Sequence, residues 1–509
     1  MSVIAVILLV ITICIVFIPW YNKHRRYIKH LERYPSPPRV FLLGNALDFR
    51  QPTAFIRKFG EYARLYGDVV KIYVGPFPTK LLVSNYKLVE QVLSSNKNLN
   101  KGKEYQYLSK WLGRGLLICD GDSRWKSHRK LLLPSFHVQV FEEFLHVFET
   151  KTQLLVRKLE TELDSSSFDI QPYIQLCSLD IICEAALGTS IHAQEDGDSD
   201  YVKSISTMCT LFIKRSFNPR LRNNFLYKYS DVYREEERVI KILHRHSSEI
   251  VERRKKELQQ MELVQDEFGL KKKLTLLDLV LVKRNDVPTL TDIAIREEID
   301  TFMFAGHDTT AAAMGFTIFC LSEYPHIQNK VMDELNAIFV GDVNRSVTLQ
   351  DINEMRYLEA VIKEALRIYP PVPYYSRMVT EELNFEGGII PQGISLLLDV
   401  YGLHHNPEYF PDPDKFLPER FLGDRGPNGL PYSYIPFSAG PRSCIGQKFA
   451  MLEMKTALSI LLRHYEFLPS TPKHILSLSA VIVLSSSNGV RVRIRRRIKR
   501  TTSPTGYNS

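Results

Sequence analysis

The chain has 509 residues, 44% of them hydrophobic, and a formal net charge of +9. A chain of that length buries a large core unaided, and its seven cysteines (Cys14, Cys119, Cys177, Cys183, Cys209, Cys320, Cys444) are odd in number, scattered and free of any C-x-x-C pair, which argues against a disulfide framework and a structural zinc site. Seven positive charges lie between Arg491 and Arg500, leaving +2 for everything else, so the body has no basic surface to suggest nucleic-acid binding.

Residues 1–22 carry no charged side chain and are apolar almost throughout, which predicts a transmembrane signal anchor over residues 1–20. The basic run KHRR, Lys23 to Arg26, follows at once and places the rest of the chain on the cytoplasmic side by the positive-inside rule. Residues 21–38 form a basic, proline-rich hinge in which Pro35, Pro37 and Pro38 make a stiff connector. DVVKIYVGPFPTKLLVSN, Asp68 to Asn85, predicts two strands about a Gly/Pro turn. From about residue 125 to residue 335 the period is helical, with the charged runs ERRKKE at Glu252 and KKK at Lys271 expected as solvated loops or helix faces.

One helix is expected to begin with Thr291 as N-cap and to run until Pro325, about 33 residues and roughly 50 Å, enough to cross a whole domain. A second is predicted from Asn353 to Tyr369, ending at Pro370. The stretch HHNPEYFPDPDKFLPERF, from His404, reads as ordered coil. VRVRI from Val490 alternates as a strand with one solvated face, and residues 496–509 form a basic, polar tail, a solvated end or a contact for anionic lipid.

The chemistry concentrates in FSAGPRSCIG, Phe437 to Gly446. Gly440 and Pro441 turn the chain, Gly446 permits close backbone approach, and QKFAMLEMKTALSILL after it is helical. Cys444 thus precedes a helix N-terminus, where exposed N–H groups favour a thiolate, the metal-binding form. The same placement suits a nucleophile, although no histidine base is identifiable from the sequence. It also suits the axial position of a flat macrocycle, where one protein ligand is enough. In the long helix, AGHDTT from Ala305 to Thr310 puts Gly306 in a helix interior at a cost of about 1 kcal/mol relative to alanine, and a flat ligand lying against the helix would account for it.

FSAGPRSCIG resembles the haem-binding signature of the cytochrome P450 family, matched at Phe437, Gly440, Arg442, Cys444 and Gly446. Three further patterns follow the family's order. EALR, with Glu364 and Arg367, and PERF, with Arg420, resemble the family's structural charge lock. WKSHR, with Trp125 and Arg129, resembles its haem-propionate helix, and AGHDTT its acid–alcohol pair, Asp308 and Thr309. EIDTFMFAGHDTT, Glu298 to Thr310, is similar to the long-helix signature of the fourth P450 family, associated with ω-hydroxylation of fatty acids. Many of its members carry glutamate where this chain has Ala305, which implies a haem without an ester tether and a less constrained site.

The resemblance implies a mainly α protein with a smaller β part, the cytochrome P450 fold, with one catalytic domain over residues 39–495. It implies haem b with Cys444 as axial thiolate, and propionates held by Trp125, Arg129, Arg377 and Arg442. Phe437 and Gly446 belong to the cofactor loop, and Phe302, Ala305 and Val372 to the substrate pocket. Asp308 and Thr309 would supply protons. The co-substrates are O2 and electrons from NADPH through NADPH-cytochrome P450 reductase, with cytochrome b5 as a second donor. Lys126, Lys130 and Lys448 would dock an acidic donor. The expected location is the endoplasmic reticulum membrane (microsomal, single-pass), and the expected substrate a small lipophile: a fatty acid or related lipid, a hormone or a xenobiotic.

Two rivals remain at this level. One is an isomerase or dehydratase acting on a lipid peroxide without reductase, against which the Asp308–Thr309 pair counts. The other is a non-catalytic, membrane-anchored haem or lipid binding protein. Because Ala305 cannot form an ester, acid–acetone extraction is expected to strip all haem from the polypeptide, and haem retained on the chain would contradict this.

Overall fold

Thr291 accepts the Ala294 N–H through its side chain and opens a helix, Asp292–Glu323, that runs until the turn before Pro325. The computed structural model describes residues 29–75, 78–136, 141–196, 200–268, 274–423 and 429–497, with isolated positions between residues 11 and 21. Within it this long helix is buried along most of its length, apolar nearly all round as a helix through the middle of a core must be. Against it pack Gln171–Ala185, Asp231–Phe268, Arg356–Ile368 and Gln447–His464.

The β part lies beside the helices. Val69–Tyr73 pairs antiparallel with Pro78–Val83, which pairs in parallel with Ser395–Asp399, which pairs antiparallel with Tyr374–Met378. This sheet shares a smaller apolar core with Leu31, Leu88, Phe385 and Phe410, while the larger core fills the helical body. Arg491–Arg496 pairs with Tyr465–Pro469, burying Val492 and Ile494 and leaving Arg491, Arg495 and Arg496 exposed, as the alternation predicts. The mainly α architecture with a smaller β part is therefore as expected.

Several expectations need correction. The predicted helix from Asn353 breaks at Met355 into Leu349–Glu354 and Arg356–Ile368. A Thr348–Asp351 capping box starts the first, while the Glu334 carboxylate, from a neighbouring helix, accepts the Tyr357 and Leu358 N–H groups at 2.6 and 2.9 Å and starts the second. The proline-rich connector is laid against the sheet: Pro35 O accepts the Lys71 N–H at 2.8 Å, and the Asn45 N–H donates to Tyr73 O at 2.7 Å. ERRKKE lies on the long helix Asp231–Phe268, one of its two expected placements, but not all of it is solvated. Its Arg254 is buried, with Nε and Nη2 donating to Asp278 at 2.6 and 2.9 Å. The anchor at residues 1–20, the KKK run at Lys271 and most of the 496–509 tail lie outside the described residues. Among the described residues no helix is long and apolar enough to cross a membrane.

The charge cluster behaves unlike a surface pair. Glu364 and Arg367 are fully buried, and Arg367 Nε and Nη2 each donate to Glu364 at 2.8 Å. Arg367 also donates to His404 O at 3.0 Å and Lys415 O at 3.1 Å, Glu364 accepts the Leu417 N–H at 2.9 Å, and Arg420 Nε lies 3.4 Å from Glu364. The pair thus fixes the predicted coil, residues 404–420, to the Arg356–Ile368 helix. Arg367→Met leaves the Glu364 carboxylate short of its bidentate partner and is expected to cost about 3–5 kcal/mol, read as a lowered urea midpoint. The double replacement Glu364→Leu/Arg367→Met recovers part of that loss, and an unchanged midpoint in the single variant contradicts the assignment.

Candidate active site

The loop 437–446 folds back on itself because two residues take left-handed backbone, Ser438 (φ 59°) and Gly440 (φ 68°), and because the Cys444 N–H donates to Phe437 O at 2.9 Å. A side chain at Gly440 would run into the Leu93 backbone. Gly446 then caps the helix Gln447–His464. The Cys444 thiol faces a cavity of about 260 Å3, also lined by Phe437, Gly446, Phe449, Phe302, Ala305, Thr309 and Val372.

Cys444 is open to this cavity and enclosed by protein elsewhere. Burial raises its pKa above the usual thiol value, with the Gly446 N–H and the Arg129 charge pulling the other way. The helix end alone therefore does not favour the thiolate. A bound metal ion supplies the charge that does.

The Ser123–Leu132 helix, capped by Asp122 accepting the Trp125 N–H, forms one wall. Its Trp125 is buried, with the Arg442 guanidinium 4.3 Å from the ring centroid, and its Arg129 donates to Ser443 O at 3.0 Å. The buried Glu298 carboxylate of the long helix holds this wall in place. It lies 2.7 Å from His128 Nδ1 and accepts the Leu116 N–H at 3.0 Å, and neighbouring Glu297 pairs with Arg124 at 2.9 Å.

Arg377, on the strand Tyr374–Met378, also lines the cavity, and its backbone pairs with that of Lys101. Lys101 is a cavity residue that the sequence reading missed, since no spacing marks it. Burial, then the charges of Arg377 and Arg442, hold Lys101 well below the usual lysine range, and burial also lowers Arg377 and brings Arg442 down to about 10. Arg442 donates to the carbonyls of Leu99 (3.0 Å), Leu116 (3.1 Å) and Cys119, so its first task is to hold the 99–119 segment to the cysteine loop.

Among the described residues none of Lys101, Arg129, Arg377 and Arg442 forms an ion pair with a carboxylate. Unpaired cations at an enclosed apolar cavity are costly unless an anion arrives. A flat apolar body bearing carboxylates at one edge meets both conditions. A Cβ built at Gly446 would meet nothing within 4 Å, leaving room beside the thiol. The residues present fit haem.

The long helix forms the opposite wall. Phe302, Ala305 and Thr309 face the cavity, and the Thr309 hydroxyl donates to Ala305 O at 2.6 Å. Gly306 lines the cavity, as the expected flat ligand against the helix requires, and it meets a second constraint besides. A Cβ there would lie 2.7 Å from Ile182 Cδ1 and Cγ1, so the glycine makes room for the packed Gln171–Ala185 helix. Asp308 is not among the cavity-lining residues: its Oδ1 accepts from Gln175 Nε2 at 3.1 Å. The structure thus brings Cys444, Trp125, Arg129, Arg377, Arg442, Thr309, Phe302, Ala305, Val372, Phe437 and Gly446 to one cavity. Asp308 and the Glu364–Arg367–Arg420 lock stand outside it.

Residues 35–491 match the family model described as cytochrome P450. The chain is 38% identical over 500 residues to cytochrome P450 4c3 of Drosophila melanogaster, covering 95% of this chain and 93% of the relative. It is 39% identical to cytochrome P450 4c21 of Blattella germanica (90% and 92% covered) and 37% identical to cytochrome P450 4V2 of Homo sapiens (93% and 92% covered).

Gly306→Val is expected to destabilise the protein by about 1–3 kcal/mol through overpacking against Ile182, and Ile182→Ala in the same chain to relieve most of it, both measured by thermal melting. Haem loss with an unchanged melting point would instead assign the space to the ligand.

Proposed function

Since the chain belongs to the cytochrome P450 family and is a haem-dependent monooxygenase, an oxidoreductase, we propose that it hydroxylates a C–H bond of a lipophile of the fatty-acid kind. Electrons come from NADPH through a separate reductase at the endoplasmic reticulum membrane, with residues 1–20 as anchor. One observation carries this reading. The Cys444 thiol faces the Ala305–Thr309 stretch across an apolar cavity edged by cations that have no carboxylate partner among the described residues.

In this reading Cys444 would ligate the iron, and Trp125, Arg129, Arg377 and Arg442 would hold the haem carboxylates, with the Arg442 guanidinium 4.3 Å from the Trp125 ring centroid. Haem bound there supplies the redox chemistry that activates O2, and a thiolate ligand favours O–O cleavage. The chain's own work is to bind, orient and protonate. Phe302 and Val372 give the substrate apolar walls that exclude water. Ala305 leaves space where a larger residue would narrow the approach, so the oxidised carbon is less strictly the terminal one. The Thr309 hydroxyl, turned from Ala305 O, would be a proton donor on the cavity face, and Asp308 on the adjacent helix position would supply its proton. Lys126, Lys130 and Lys448 are exposed near the cysteine loop and available to an acidic redox partner.

The full-length enzyme reconstituted with reductase in membranes is expected to form hydroxylated fatty acid only when NADPH is supplied. Product from a lipid hydroperoxide that ignores NADPH would contradict the proposal and favour an isomerase.

A further inference from the structure

Asp308 is not among the residues lining the cavity of Cys444, and its partner Gln175 lines a second cavity with chemical character of its own. This second cavity, of about 330 Å3, lies beside the long helix, lined by Gln171, Gln175, Ser206, Thr210, Ser479 and Ser485 among others. Gln171 and Gln175 are four residues apart on the Gln171–Ala185 helix and so share a face. Gln175 donates to Asp308 Oδ1 at 3.1 Å. Gln171 reaches the long helix at Gly315, where a Cβ would collide with its Oε1, so this helix-interior glycine clears space for an amide. That Oε1 is buried with no hydrogen-bond partner among the described residues, and a buried acceptor beside a roomy polar cavity is a site for ordered water. Gln175 lines this polar cavity while donating to Asp308, whose neighbour Thr309 lines the cavity of Cys444.

We propose that Gln175 is a positioning residue for proton delivery: by donating to Asp308 Oδ1 it holds that carboxylate toward the polar cavity, where water reprotonates it. The inference rests on the monooxygenase reading. In the step, an O–H bond of protonated water breaks and an O–H bond forms at Asp308 Oδ2. That bond then breaks as the proton passes toward Thr309, the carboxylate is restored, and no electrons move. The amide N–H is suited to this task because it orients the carboxylate without adding a charge that would hold the proton back.

The test uses full-length holoenzyme with reductase, dodecanoic acid as probe substrate, and two variants: Gln175→Leu, and Gln175→Glu, which keeps the shape but removes the N–H. Expected in both is an about tenfold fall in product per NADPH consumed, a fraction of what general acid catalysis supplies, with more hydrogen peroxide released. Product formation driven by cumene hydroperoxide, which needs no delivered protons, is expected to stay near the wild-type level. As a readout independent of turnover, the melting-point shifts of Gln175→Leu and Asp308→Asn are expected to be non-additive in the double variant. Unchanged coupling in both variants, or additive shifts, overturns the proposal, and so does parallel loss of NADPH-driven and hydroperoxide-driven product, which would make Gln175 merely structural. A wild-type enzyme that yields product with neither oxidant contradicts the monooxygenase reading itself, and the proposal falls with it.

Discussion

A wide gap must be held open between Cys444 and the Ala305–Thr309 stretch, and the rest of the structure depends on that constraint. Apolar walls left to themselves close up, since side-chain packing at crystal-like density is the favoured state. This protein resists closure by polar stitching outside the gap. Glu298 ties the long helix to His128 and to the Leu116 backbone, Arg442 ties the cysteine loop to three carbonyls of the 99–119 segment, and Arg129 ties the Trp125 helix to Ser443. The buried Glu364–Arg367 pair does the same for the coil that leads into the cysteine loop. Each stitch joins segments far apart in sequence, so the site's dimensions are a property of the whole fold.

Charge decides what fills the gap. Lys101, Arg377 and Arg442 are all lowered from their usual values by burial, and among the described residues none of them forms an ion pair with a carboxylate. An anionic ligand restores what burial removed, and its own apolar body then replaces the missing packing. Cys444 presents the complementary case, a thiol raised by burial that a metal ion converts to its useful form. The residues at both ends of the site are thus unfavourable in charge by themselves, and a flat, carboxylate-bearing metal complex relieves both.

Much of this was legible in the sequence where local chemistry dictates local structure. Thr291 and Pro325 bound the long helix because caps and prolines act on neighbouring backbone. The cysteine loop was legible because its glycines, proline and arginine each serve a fixed backbone or ligand need within ten residues. What stayed hidden was set by distant partners. Glu334 breaks a predicted helix from another element, Ile182 explains Gly306 from across a helix interface, and Asp278 takes Arg254 out of a charged run that reads as solvated. Lys101 and Gln175 belong to the same class: nothing within several residues of either marks it, and only packing places one at the cavity and the other against Asp308.

The central claim is that Cys444 is the axial ligand of haem in this cavity. The most direct measurement is the carbon monoxide difference spectrum of the dithionite-reduced protein, taken for the wild type and for Cys444→Ser. The account predicts the strongly red-shifted Soret band of thiolate ligation in the wild type and its loss in the variant. A Cys444→Ser protein that keeps that band at its wild-type position would contradict it.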